Sequence, residues 1–211
     1  MIKKNKIKII VSSIVTLLPM VLGFVIWDKL PENIATSFGW NGEATGYSSK
    51  LFAVVGLPAM LTFINLICIL VTNADPRKNN INNAVFTIVL SVVPACSLIC
   101  GACIYSNALG YSVNVGNIMS VFVGATICIL GFVLPKCRQN YTVGFKLPWT
   151  LHDSENWDKT HKLAGKLWII GGILMIAAGI FKITTLFVIV IFIVVSVPVV
   201  YSYLLYRNKR I

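Results

Sequence analysis

Residues 9–27 read IIVSSIVTLLPMVLGFVIW, nineteen positions without a charge, closed by Lys8 on one side and Asp28 on the other. At about 1.5 Å per residue the stretch makes roughly 28 Å of helix, enough for a hydrocarbon core of roughly 30 Å. It lacks the period-2 alternation of a barrel strand, so a helix is the form that satisfies its backbone inside lipid. Five more such stretches follow, at 52–71, 84–109, 118–134, 167–181 and 183–206. The third exceeds a perpendicular crossing, which predicts a tilt or partial emergence. The fifth is short, and reaches span length if Leu163 and Ala164 enter the membrane while Lys166 snorkels. The last two together are too long for one crossing, so a break at Lys182 is expected.

Composition agrees. Charged residues make up 12% of the 211, hydrophobic residues 57%, and the mean hydropathy is +0.82. A soluble domain carries about a quarter charged residues. The expected class is an all-α polytopic membrane protein of about six transmembrane helices, not a soluble enzyme. The flank Lys3, Lys4, Lys6 and Lys8 resembles the start of a signal peptide. However, the apolar run is too long, and residues 26–29 (IWDK) offer no small-residue cleavage site, so the first helix is read as retained.

Orientation follows from Lys and Arg. With the N-terminus inside, the outer segments hold Lys29, Lys50 and Lys182, and the other fifteen of the 18 basic residues are inside. That asymmetry is the positive-inside signal. It places both termini in the cytoplasm. The net charge of +11 is then a topology signal and an attraction to anionic headgroups. No basic cluster stands free of a membrane helix, so direct nucleic-acid binding is not expected.

Cys68, Cys96, Cys100, Cys103 and Cys128 fall in spans and Cys137 just inside the cytoplasm. Cys96, Cys100 and Cys103 share a helix face, but without His or carboxylate company they read as packing residues; no metal, cofactor or disulfide is expected.

Two polar inserts remain. The outer one, 28–51, reads DKLPENIATSFGWNGEATGYSSKL. It is a loop of turn residues and aromatics, either an interfacial anchor or a binding surface for a ligand or peptide. The candidate ligand-facing residues are Pro31, Phe38, Trp40, Gly42, Gly46, Tyr47 and Lys50. The inner one, 135–166, begins irregularly, with Gly144 and Pro148 as breakers. Its second half reads as an amphipathic helix opened by a capping box of Thr150 and Asp153, with Ser154 as rival cap. Trp157, His161, Ala164 and Trp168 share one helix face, and the helix turns or continues into the fifth span. A lone His among aromatics is expected to hydrogen-bond a neighbouring loop backbone rather than relay protons. Trp157 and Trp168 read as interfacial anchors.

The run 140–151, NYTVGFKLPWTL, followed by Trp157, Thr160, His161, Gly165, Lys166 and Trp168, resembles the signature of the SdpI family of bacterial membrane immunity proteins. The outer run LPENIATSFGWNGEATGYSSK resembles DUF1648, a short domain of unknown function found at the N-terminus of the same proteins. The two stand in the family's order and spacing and cover about a quarter of the chain. This chain departs from the family in having Lys146 for Arg, Ala35 and Ser37 for Pro and His, and Phe132 after Gly131 where Asn is common. Lys146 cannot reproduce a bidentate anion contact. The resemblance implies protection from a secreted toxic peptide met outside, and a signalling role in which a cytoplasmic repressor is captured at the inner face. It divides the chain into a first helical hairpin (1–75) and an SdpI-like region (76–211). It implies an inner coupling motif of Asn140, Gly144, Lys146, Pro148, Trp149, Thr150, Trp157, Thr160, His161, Gly165 and Trp168. Two other classes compete. A small-solute or peptide transporter or channel wants acids at mid-depth, and no span holds one. An intramembrane enzyme wants a paired catalytic motif, and none is visible.

Overall fold

A computed structural model describes residues 5–39 and 42–209. In chain order it holds helix α1 (Lys6–Val25), strands β1 (Asn33–Phe38) and β2 (Ala44–Ser49), a π-helical turn (Phe52–Gly56) running into α2 (Leu57–Ala74), then α3 (Asn83–Ala108), α4 (Val115–Val133), the short α5 (Pro148–His152), α6 (Ser154–Ile180) and α7 (Thr184–Asn208). Among the described residues six helices are long and apolar enough to cross a membrane, α1 to α4, α6 and α7. The chain is a multi-pass membrane protein. It divides into two compact units: Met1–Leu70 with Thr87–Ile118, and Val71–Phe86 with Met119–Ile211.

Prolines explain several of the links between helices. Pro19, Pro94 and Pro198 lie inside α1, α3 and α7. A proline strips the carbonyl four residues earlier of its donor, and lipid offers no replacement. In the first unit the carbonyl four before Pro94 is Leu90 O, and Ser12 Oγ of α1 donates to it at 2.9 Å. In the second, the carbonyl four before Pro198 is Val194 O, and Trp168 Nε1 of α6 donates to it at 2.9 Å. The breaks at Pro94 and Pro198 are thereby each closed by a side chain of a neighbouring helix.

α1 and α3 run parallel, because their links climb both helices together. Ser12 reaches Leu90, Ser97 Oγ donates to Thr16 O at 2.8 Å, and Tyr105 Oη donates to Pro19 O at 2.8 Å. α2 joins through Asn65 Nδ2, which donates to Ser12 Oγ at 2.9 Å.

The outer insert is a β-hairpin, which corrects the expectation of a loop. β1 and β2 pair antiparallel, Asn33 opposite Ser49 and Ala35 opposite Tyr47, with irregular register around Thr36 and Ser37. The hairpin is held down by Ile34, packed with Leu30, Ala53, Val54, Ile104 and Tyr105 in one apolar cluster.

In the second unit, α6 is one continuous helix of 27 residues, about 40 Å long and so longer than the hydrocarbon core. The amphipathic stretch and the fifth span are therefore collinear. Asp153, not Thr150 or Ser154, is the cap that opens α6: its side chain accepts from Glu155 N and Asn156 N. Thr150 belongs to α5. α6 ends at Ile180 and α7 starts at Thr184, with Lys182 at φ 60° in the turn between them, so the last two spans are separate.

Candidate functional site

The inner segment is assembled around four buried polar side chains. Asn140 is 1% exposed; its Oδ1 accepts from Thr142 N and Val143 N, at 2.9 and 2.6 Å, and turns the chain just after α4. The next turn needs Gly144, which sits at φ +112° with its Cα hydrogen facing His161 Nε2. Thr150, fully buried, accepts from Leu147 N at 3.0 Å and donates to Phe145 O at 2.6 Å, which locks the run 145–150 into one loop. Thr160 donates to Asn156 Oδ1 at 3.0 Å, and Asn156 Nδ2 donates to Ser202 O of α7 at 2.9 Å.

His161 is 1% exposed and stacks on Trp157, with ring centroids 4.0 Å apart. Its Nδ1 lies 2.8 Å from Trp157 O and its Nε2 accepts from Phe145 N at 3.0 Å. A carbonyl only accepts and an amide N–H only donates, so the ring serves both as the neutral tautomer with hydrogen on Nδ1. Both nitrogens are engaged, which leaves the ring no lone pair to act as a base. Trp157 is fully buried and donates from Nε1 to Cys137 O at 2.8 Å. It is a core residue, not the interfacial anchor expected, because the 134–150 loop folds over it. Trp168 is half-buried, with its indole spent on α7 and its ring edge-on to Phe145 at 5.7 Å. Burial pushes the Cys137 thiol up to about 11, so it stays protonated at neutral pH.

Asp75 is a member of this site that the sequence did not reveal. It is 4% exposed, and its carboxylate accepts from Arg77 N (2.7 Å), Tyr141 N (2.8 Å) and Thr142 Oγ1 (2.7 Å). Arg77 in turn lies over the Tyr141 ring and donates to Gln139 Oε1 and Leu151 O. The one available signal was isolation: Asp75 is the sole acid between Glu43 and Asp153. At the other end, Lys209 pairs with Asp153 and Glu155, each at 2.7 Å, and ties the end of α7 to the start of α6. The hydrogen bond from Lys209 leads the causes that hold the Asp153 carboxyl below its usual range.

With its interior satisfied, the segment offers a surface. Tyr141, Lys146 and Pro148 are exposed. Trp149 stacks on Tyr206 at 5.8 Å, meets Tyr203 edge-on at 5.6 Å and donates to Ser202 Oγ at 3.0 Å. Gly165 lies in the α4–α6 seam, where an added Cβ would sit 2.8 Å from Gly131 O.

The outer candidates divide differently, within their own unit. Tyr47 is 67% exposed and Pro31 is also exposed. Phe38 is half-buried against the apolar cluster. Gly42, at φ +85°, lies where a Cβ would meet the Asn114 side chain at 2.8 Å, and Gly46 packs on Ser37. Lys50 is not ligand-facing: it is 7% exposed, paired with Glu32 at 2.9 Å and over the Trp27 ring at 5.1 Å. A buried ammonium demands such partners. Trp40 lies outside the described residues.

Residues 136–202 match the model of the SdpI/YfhL protein family. The matched region covers residues 136–166 of the inner insert and ends at Ser202, the residue that receives both Trp149 and Asn156. Residues 14–62 match a domain of unknown function, DUF1648, which spans the hairpin together with parts of the helices that flank it. Immunity protein SdpI of Bacillus subtilis (strain 168) is 24% identical over 215 residues, covering 98% of this chain and 97% of that protein. No solved structure matches the chain.

Proposed function

We propose that this chain is a membrane immunity protein that protects its cell from a secreted toxic peptide by binding rather than by chemistry. The observation that carries the reading is the near end-to-end likeness to a protein named for immunity, with the SdpI and DUF1648 regions in the same chain. With the termini in the cytoplasm, as the basic residues argue, the hairpin after α1 faces outward and the segment before α6 faces inward. Tyr47 and Pro31 then meet the toxin. The finer reading is signalling: the inner surface of Tyr141, Lys146 and Pro148 docks a cytoplasmic repressor when toxin is bound. Such coupling requires the two occupants to favour the same arrangement of helices.

Expression in a strain killed by the cognate peptide is expected to raise surviving colonies at least tenfold. Unchanged killing by every secreted peptide of the host would sink the immunity reading. For signalling, exchanging Tyr141 and Lys146 for Ala leaves protection intact but releases the repressor from membrane fractions. Retention of the repressor in that variant removes the docking surface from the mechanism.

A further inference from the structure

Within the first unit, α1 and α3 leave a groove of about 390 Å³ along their shared face. Its two walls are helical stripes: Lys8 and Ser12 rise on α1, Thr87, Ser91, Ala95 and Leu98 on α3. Val11 and Val15 complete the α1 wall, and Pro94 leaves Leu90 O to be reached by Ser12 across the floor. Since the helices are parallel, their polar ends coincide. Lys8 is exposed at the mouth with its Nζ donating to Thr87 Oγ1 at 2.8 Å, and Ser91 lies one turn deeper. Beyond that the lining is hydrocarbon up to Leu98. From Thr87 to Leu98 the groove runs about 16 Å, close to the depth of one leaflet. Charge, then hydroxyl, then hydrocarbon is the profile of an anionic phospholipid, and both helix N-termini add partial positive charge at the headgroup end.

We propose that this groove seats one anionic phospholipid, its phosphate on Lys8 and Thr87 and an acyl chain over Ser91, Ala95 and Leu98. The seat is independent of the toxin reading: it concerns the opposite end of the first unit from the hairpin, and it does not require the protein to confer immunity. The attraction of one lysine for an anionic headgroup near the membrane surface corresponds to about fivefold in affinity.

The test is native mass spectrometry of the full chain, released from nanodiscs of mixed phosphatidylglycerol and phosphatidylcholine. One phosphatidylglycerol is expected to remain bound in preference to phosphatidylcholine. Lys8→Gln weakens retention about fivefold and Lys8→Arg restores it, whereas Lys166→Gln, which removes an equal charge on α6, leaves it unchanged. Ala95→Phe fills the groove and abolishes retention. Equal retention of phosphatidylcholine, equal losses in the Lys8 and Lys166 variants, or retention unaffected by Ala95→Phe each overturn the seat. Lys8→Gln substitutes an exposed side chain, so its readout stands even if the Phe variant accumulates poorly.

Discussion

Gly144→Ala is expected to dismantle the inner segment while all six spans remain inserted. The new methyl would overlap His161 Nε2, and the backbone there is at φ +112°, a region that L side chains rarely adopt. The ring cannot swing aside. It is sandwiched on Trp157 at 4.0 Å and pinned through Nδ1 to Trp157 O. The loop must therefore move, and in moving it gives up the bond from Phe145 N to Nε2. Backbone strain costs about 1–3 kcal/mol, and a buried nitrogen left without its donor costs about 1–3 kcal/mol more. Limited trypsin digestion at Lys146 reads the loop directly: cleavage rises at least tenfold over wild type with helical circular dichroism unchanged. Wild-type protection in the Ala variant would show that the loop tolerates a Cβ. His161→Ala removes the obstacle, so the double variant should lose less than the sum of the two single losses.

How far the fold was readable in the sequence depends on what enforces each part. The spans were legible because lipid punishes every unpaired backbone group, so the composition of 9–27 or 183–206 leaves no other form. The boundaries shifted by a few residues and the cap moved from Thr150 to Asp153. Thr150 has the right residue type for a cap, but its hydroxyl is taken by Phe145 O inside the loop. The hairpin was missed for a different reason. β2 reads ATGYSS, too polar and glycine-rich to announce a strand, and its register is set by Ile34 docking on Val54 and Ile104, residues 20 and 70 positions away. Asp75 likewise waits on Tyr141 and Thr142, which no local pattern connects to it. Asn140 and Thr160 were named from the resemblance and Trp157, His161 and Trp168 also from their shared helix face, whereas Asn156, like Asp75, was not named; the roles came only with the geometry. His161 met the expectation of a loop-backbone partner; Trp157 did not meet that of an interfacial anchor, because the loop that buries it is irregular.

Gly172→Leu is expected to separate α4 from α6, the larger of the two effects on stability. The helices meet backbone to backbone at two levels. Gly124 faces Gly172 and Gly131 faces Gly165, seven residues apart on each helix and in antiparallel order. A Cβ at Gly172 would lie 2.6 Å from both Cys128 N and Gly124 O; one at Gly124 would lie 2.8 Å from Gly172 O. Small residues at such a seam matter more in lipid than in water, because close van der Waals packing replaces the hydrophobic drive. Overpacking a core costs about 1–3 kcal/mol where side chains can yield. Here the obstacle is main chain, which cannot rotate away, so the cost sits at or above the top of that range. Gly171 supplies the control. It is one residue away but faces α7, where an added Cβ would meet a methyl of the Val194 side chain rather than main chain. Melting in detergent should therefore rank wild type above Gly171→Ala, Gly171→Ala above Gly172→Ala, and Gly172→Leu last. If Gly172→Leu melts with wild type, the seam does not hold the pair. The consequence reaches the inner segment, because Trp157, His161 and Trp168 all stand on α6. An α6 that loses its seam with α4 cannot keep Trp157 under Cys137 O or His161 under Gly144. Gly172→Leu should therefore expose Lys146 to trypsin as Gly144→Ala does, but with a lowered melting temperature for the helices as well.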